Sequence, residues 1–232
     1  MKRPLNIIIL AVLIISAAGL PAGAQTEGFN VKTTVQKISD SASAFLNGII
    51  ADAEDDPSKS LPKELACEAD CFIVIPSIAP VPGRDDFGGT GLLTCRAAGT
   101  RKPTPPLFYH ITNVESFSES GGGVLIFVTD KTGVKSVLAD QLQLTGGDSG
   151  AGDIGEKSAG KSKSFVAFVK PSGGPIQGFD TSGSTLVYAS GDTFNAYQQD
   201  IDPVDVMLFG IDVPPALRGF TASMDEFLKG CK

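Results

Sequence analysis

The sequence predicts an α+β fold in which N-terminal helices pack on a mainly antiparallel β-sheet or partly closed barrel, with C-terminal helices after it. Two observations predict this class. Apolar residues recur every three or four positions near both ends of the chain, which is a helical period. Between these ends the chain consists of short apolar runs bounded by Gly and Pro, with one short helical pattern among them. Such runs are typical of antiparallel strands and not of alternating βαβ units.

The first 24 of the 232 residues have the pattern of an export signal. Lys2 and Arg3 make a positively charged start, residues 7–18 form an apolar run, and Ala-Gly-Ala at 22–24 suits a signal peptidase. The run is shorter than the roughly 20 apolar residues that span hydrocarbon. We therefore expect a signal peptide cleaved after Ala24 and a periplasmic or secreted product. No Cys stands near the cut, so a lipid-modified N-terminus is not supported.

Charge excludes one class of function. Cleavage removes Lys2 and Arg3, so 19 basic residues become 17 against 26 acidic ones, and the net charge falls from −7 to −9. A general nucleic-acid binder would carry an excess of positive charge. For the same reason attraction to an anionic membrane has to come from a local patch. The remaining length suits one domain with extensions, or at most two small domains.

Four cysteines remain after the predicted cleavage, namely Cys67, Cys71, Cys95 and Cys231. An even number in an exported chain predicts one or two disulfide bonds, with three possible connectivities. Zinc is the alternative. The C-x-x-x-C spacing of the first two cysteines is one residue longer than a zinc knuckle, no second close pair follows, and the only histidine is isolated. Disulfides are favoured.

An amphipathic helix is predicted for 31–53, within an N-terminal segment covering 25–59. Its apolar residues fall on one face, and we expect that face to pack on the core, because acidic residues outnumber lysines along the C-terminal half. A second short helix at 61–66 has Pro in its first turn. These elements precede the predicted central domain, 60–200.

Strands follow where short apolar runs lie between Gly and Pro residues. The predicted strands are 72–76, 90–96, 107–114, 123–129, 141–145, 164–170 and 184–189, with a helix at 131–139. Residues 146–163 are rich in Gly, Ser, Asp and Lys and predict a mobile surface loop. A C-terminal helical extension, 201–232, is predicted after helix 192–199, and it holds helices at 203–209 and 214–228 that each begin at Pro.

Three patterns resemble catalytic or ligand sites, and each lacks its context. Residues 155–162 match G-x-x-x-x-G-K-S and 150–155 match G-x-G-x-x-G, but a polar run precedes them and a strand pattern follows, where a phosphate site needs a strand and then a helix. His110 lies in a predicted strand without a nucleophile elbow. The acids at 200–205 suit helix capping better than calcium. We predict no catalytic residue, metal, nucleotide or cofactor.

Two blocks resemble the opening of the SYLF domain, a lipid-binding family shared with a yeast actin-patch protein. They are ADCFIVIPS at 69–77 and FGGTGLLTCR at 87–96, which are similar to the family patterns A-x-C-x-x-x-x-P-S and G-G-x-G-x-G-x-L-x-x-R. Weaker similarities follow at PPLF 105–108, VLIFV 124–128 and LQLTG 142–146. The usual Trp before Pro-Pro-x-F is absent, and the glycine signature near 118–122 is eroded.

The resemblance implies an exported, non-catalytic protein of the bacterial type that binds anionic lipid or another envelope component. In the family, lipid contact is attributed to a basic N-terminal helix, and here that helix is acidic on balance. The candidate lipid-binding residues are therefore the local cationic groups Arg96, Arg101, Lys102, Lys157, Lys161 and Lys163. Two alternatives stay open. One is an envelope interaction or structural protein without lipid affinity, and the other is a hydrolase with an unrecognised site.

Overall fold

Apolar residues on both faces of the central strands place the β-sheet between two groups of helices. The computed structural model describes residues 31–97, 102–117, 121–152, 163–208 and 210–231. The strands of this part are β1 Cys71–Ile75, β2 Ala79–Pro80, β3 Phe87–Cys95, β4 Leu107–Val114, β5 Gly122–Val128, β6 Gln141–Gln143, β7 Ser149–Ala151, β8 Phe165–Pro171, β9 Gln177–Gly178 and β10 Thr185–Tyr188. Its α-helices are α1 Val31–Asp55, α2 Lys63–Glu68, α3 Lys131–Val137, α4 Ser190–Tyr197, α5 Pro203–Leu208 and α6 Arg218–Phe227.

The strands form a ten-stranded sheet that curls into a half-barrel. Its order is β6-β10-β4-β3-β1-β5-β8-β7, with β2 added to β3 and β9 added to β8. All pairs are antiparallel except β7 with β8. The predicted α+β class with a mainly antiparallel sheet is confirmed, and β1 lies in its middle.

One face of the sheet is covered by α1, α2, α4 and α6. Phe72 and Val74 of β1 point to this side and belong to the same buried cluster as Leu46 of α1 and Phe220 and Met224 of α6. The apolar stripe predicted on the first helix therefore packs on the core. The segment predicted as a C-terminal extension contributes buried side chains to this cluster, and residues 31–232 form one unit.

The opposite face of the sheet has a core of its own. Cys71, Ile73 and Ile75 alternate with the residues above along β1, as the strand period of two requires. This second face is covered by the two short helices α3 and α5, whose Val137 and Val206 are buried in this second cluster. Strand β1 is consequently buried on both faces.

The cysteines form two disulfide bonds, Cys67–Cys231 and Cys71–Cys95. The first joins α2 to the residues after α6 and closes a separation of 164 residues. The second joins directly opposite residues of β1 and β3. The prediction of disulfide bonds is confirmed, and both pairs are consistent with an oxidising compartment.

The structure differs from the sequence prediction in the polar segment 146–163. Instead of a loop throughout, this segment contains β7, which pairs in parallel with β8. Gly152 is buried against the Phe168 ring, where an added Cβ would lie 2.0 Å from a ring atom. A strand made of Ser149, Gly150 and Ala151 has no apolar period, because main-chain hydrogen bonds and not side chains hold it to the sheet.

Some predictions fall on residues outside the described ranges. They include the signal peptide, residues 1–24, and most of the two glycine-rich motifs at 150–162. In the part of the chain that the structure describes, none of the helices combines the length and the apolar character needed to cross a membrane.

Removing the Cys67–Cys231 bond should lower the free energy of unfolding by about 5 kcal/mol, since the bond restricts a long loop of the unfolded chain. The measurement is urea unfolding of a Cys67→Ala/Cys231→Ala variant beside the oxidised protein. The matched control is Cys71→Ala/Cys95→Ala, which opens a loop with a separation of only 24 residues. A loss below about 1 kcal/mol in the first variant would contradict the chain-entropy account.

Candidate functional site

A groove lies at one end of the sheet, between α3 and α5. We call it the α3–α5 groove, and it encloses about 760 Å³. The residues that line it are Asp70, Arg96, Lys131, Val134, Lys135, Leu138, Ala139, Val204 and Met207. This volume lies within the range of about 300 to 1,000 Å³ that is usual for small-molecule sites. Most of its surface is apolar.

The floor of the groove comes from the ends of the central strands. Asp70 precedes β1 and Arg96 follows β3, and the Arg96 amide donates to the Asp70 carbonyl over 2.8 Å. The Asp70 amide in turn donates to the Val128 carbonyl at the end of β5, also over 2.8 Å. The antiparallel register of three strands therefore brings Asp70, Arg96 and the residues that lead into α3 to one edge.

One wall of the groove is α3, which begins directly after β5. Asp130 caps this helix by accepting from the Gly133 amide over 2.7 Å, and its other carboxylate oxygen accepts from Ser164. The helix lies close to the sheet, since a Cβ at Gly133 would be 2.8 Å from a Val128 methyl.

The residues of α3 that line the groove alternate between lysine and apolar side chains along one face of the helix. Lys131, Val134, Lys135 and Leu138 follow the i, i+3, i+4, i+7 spacing of one helix face. Both lysines are exposed, and neither forms an ion pair or hydrogen bond with another described residue. The wall therefore offers two positive charges one turn apart beside two apolar side chains.

The other wall is α5, which leaves apolar side chains in water. Val204 and Met207 line the groove, and Val204 is 46% exposed. Leu208, one turn after Val204, is 68% exposed and is the most exposed large apolar side chain of the described residues. An apolar patch beside a groove is unusual for a surface that only faces solvent and is typical of binding sites.

A buried tyrosine, Tyr109, and a half-buried one, Tyr188, hold the walls in place. The Tyr109 hydroxyl donates to the Val137 carbonyl at the end of α3, and the Tyr188 hydroxyl donates to the Ile201 carbonyl before α5, each over 2.7 Å. Their rings lie 5.7 Å apart. Burial raises the pKa of both hydroxyls above the ordinary tyrosine value, so both remain protonated donors at neutral pH.

Positive charges outnumber negative charges around the groove. Lys131, Lys135 and Arg96 supply three cationic groups against the carboxylate of Asp70. Arg96 has a structural role as well, because its guanidinium donates to the Ala66 carbonyl and lies 5.6 Å from the centre of the Phe72 ring. The two lysines are therefore the cations best placed to meet a ligand.

Of the three predicted lipid-binding residues that the structure describes, Arg96 and Lys102 lie on adjacent backbone segments, since the Ala97 amide donates to the Lys102 carbonyl over 2.9 Å, and Lys163 lies in the segment before β8. Arg96 lines the groove, and Lys102 is exposed on the loop that follows β3. Lys163 is engaged in a turn, where its ammonium group donates to the carbonyls of Gly146 and Gly147. The remaining candidates, Arg101, Lys157 and Lys161, lie outside the described residues.

Sequence reasoning missed Lys131 and Lys135, although a signal was present. The predicted helix 131–139 carries its two lysines at i and i+4 with apolar residues between and after them. That spacing places all of them on one face, and a cationic and apolar face on a short exposed helix is a recognisable ligand pattern.

His110 has polar neighbours that the sequence did not indicate. Thr90 Oγ1 lies 2.8 Å from His110 Nδ1, and Asp192 Oδ2 lies 3.6 Å from His110 Nε2. These are the residue types of a hydroxyl–imidazole–carboxylate set, but the second distance is longer than a hydrogen bond. Among the described residues no group of three His, Cys, Asp or Glu side chains is suited to a metal ion.

Comparison of the chain with protein-family models, with curated proteins and with solved structures finds no match.

Replacing Tyr109 by Phe should speed hydrogen exchange of the α3 amides without changing α5, and Tyr188→Phe should do the reverse. Each loses one buried hydrogen bond, worth about 1 kcal/mol of unfolding free energy. Tyr197→Phe is the matched control, because that hydroxyl donates to the Pro106 carbonyl and should leave both helices unchanged. Equal amide exchange rates in all three variants would contradict the interpretation that the Tyr109 and Tyr188 hydroxyls hold α3 and α5 in place.

Proposed function

We propose that this chain is a non-catalytic exported protein that binds anionic lipid, and that the α3–α5 groove is the contact site. The observation that carries the proposal is the combination on one surface of unpaired cations at Lys131 and Lys135 with exposed apolar side chains at Val204 and Leu208. Anionic lipid has the matching chemistry, with a negative head group next to hydrocarbon.

The binding free energy expected from these groups favours reversible contact with lipid. Each lysine near an anionic surface contributes about 1 kcal/mol. Burying the exposed parts of Val204 and Leu208 adds on the order of 1 kcal/mol each. The total, about 4 kcal/mol, describes a peripheral protein that associates and dissociates, and it is well below the strength of a permanent anchor.

The resemblance to the SYLF family supports the same proposal from a different direction. Its two blocks, 69–77 and 87–96, contain β1 and most of β3, and they include the floor residues Asp70 and Arg96. We infer that the chain is a divergent relative of that lipid-binding family. The basic N-terminal helix used elsewhere in the family is replaced here by α1, whose apolar face is buried, so a separate contact surface is required.

Vesicle binding tests the proposal. The purified protein should sediment with vesicles in a fraction that rises with their phosphatidylglycerol content and falls as salt increases, because screening weakens exposed charges. Lys131→Glu/Lys135→Glu should lower the partition coefficient about tenfold or more, since reversing two charges replaces attraction by repulsion. Leu208→Ser should lower it by several-fold at every salt concentration.

The control for this experiment is Lys37→Glu/Arg218→Glu. It changes the net charge equally, and both residues are exposed on α1 and α6, the helices on the opposite face of the sheet. Equal loss of binding in both double variants would mean that net charge and not the groove governs contact. Failure of the unmodified protein to bind any vesicle would favour a protein partner in the cell envelope.

Catalysis by the Thr90, His110 and Asp192 set is the competing function. We expect the protein to leave short-chain nitrophenyl esters unhydrolysed, because no hydrogen bond joins His110 to Asp192 to orient the imidazole. Ester turnover that disappears in a folded His110→Gln variant would contradict the non-catalytic proposal.

A further inference from the structure

We propose that the α3–α5 groove takes up the hydrocarbon chain of a monomeric single-chain anionic amphiphile, a fatty-acid-like molecule, with its head group at Lys131 and Lys135. This inference rests on the proposed function and goes further. Contact with a membrane surface requires only an exposed patch, whereas uptake of one chain requires an apolar groove large enough to cover that chain.

The space is present. The groove encloses about 760 Å³, within the size range of small-molecule sites. Val134 and Leu138 supply apolar surface from α3, and Val204 and Met207 supply it from α5. Two short helices that each contribute one apolar pair form a channel suited to a narrow flexible chain. A bulky polar ligand would leave its hydrogen-bonding groups without partners along these walls.

Charge complementarity selects the head group. The ionised groups that line the groove have a net charge of +2, with Asp70 as the one acid and Arg96 beside it on the floor. The carboxylate of Asp70 repels a negatively charged head group placed at the floor of the groove. The lysine pair on the α3 wall lies one helical turn apart, a separation at which two ammonium groups can both contact one carboxylate or phosphate.

The surroundings of the lysines do not neutralise them. The nearest acid before them in the chain, Asp130, has its own partners, because it caps α3 and accepts from Ser164. Asp202, which precedes α5, accepts from the Val204 amide. Asp140 and Asp205 are exposed to water, where screening weakens their effect. The groove is therefore locally cationic in a chain with a net charge of −7.

The experiment measures binding of monomeric ligands by isothermal titration below their micelle concentration. Palmitate is compared with hexadecanol, which has the same chain without the charge, and with butyrate, which has the charge without the chain. We expect palmitate to bind, hexadecanol to bind about tenfold more weakly, and butyrate not to bind. Lysophosphatidate binding like palmitate would show that the phosphate and carboxylate head groups are interchangeable.

Variants distinguish uptake of the hydrocarbon chain in the groove from contact with a membrane surface. Ala139→Trp and Val204→Trp place bulk at exposed positions that line the groove, and each should reduce palmitate affinity about tenfold with little loss of thermal stability. Leu208→Ser lies outside the groove lining and should keep palmitate affinity while weakening vesicle binding. Lys131→Glu/Lys135→Glu should reduce palmitate affinity and leave hexadecanol unchanged.

The outcomes of the two experiments are distinguishable. Vesicle binding without palmitate binding, or palmitate binding that neither tryptophan variant reduces, would overturn the chain-uptake inference and leave the lipid-surface proposal standing. Palmitate binding without vesicle binding would support uptake and restrict the function to carrying monomeric ligands. Absence of both would overturn both proposals.

Discussion

The burial of β1 on both faces is the constraint on which the rest of the structure depends. Each of its five residues is buried, so every main-chain polar group of the strand needs a partner in β3 or β5. The alternation of its side chains then assigns Phe72 to the core beneath α1 and α6 and Ile73 to the core beneath α3 and α5. A shift of one residue would exchange these faces and separate the opposed cysteines Cys71 and Cys95. The same register fixes Asp70 and Arg96 at the edge that becomes the groove floor.

The groove follows from how the second face of the sheet is covered. The first face has α1, a helix of 25 residues, while the second has α3 and α5 with seven and six residues. Helices this short are not stable alone and depend on tertiary contacts. The hydroxyls of Tyr109 and Tyr188 and the close approach at Gly133 supply such contacts from the sheet side. The space lined by the two helices is the α3–α5 groove, the candidate site.

Local sequence signals predicted most of the fold. They did not predict the candidate site, because the residues that form it are distant from one another in the sequence. Apolar runs located β1, β4 and β5 to within a residue or two, since burial on one or both faces shapes composition directly. Four cysteines allowed three pairings, and only the register of β1 with β3 decides between them. Strand β7 carries no apolar pattern. The meeting of α3 with α5 brings together residues about 70 positions apart. Among the cationic residues predicted to bind lipid, Arg96 lines the groove because it directly follows β3, a central strand.

The acidity of the whole chain strengthens the case for a selective groove. With a net charge of −7, the protein as a whole is repelled by an anionic surface within about a Debye length, roughly 8 Å at physiological salt, and beyond that distance the repulsion is screened. In the proposed lipid contact, attraction would therefore act only where Lys131 and Lys135 approach a head group closely, and there it would be too weak to hold the protein by charge alone. The remaining binding free energy would have to come from burial of hydrocarbon against Val134, Leu138, Val204 and Met207. A ligand that satisfies both conditions needs a negative head and an apolar chain in one molecule. An anionic surface without accessible hydrocarbon satisfies only the first.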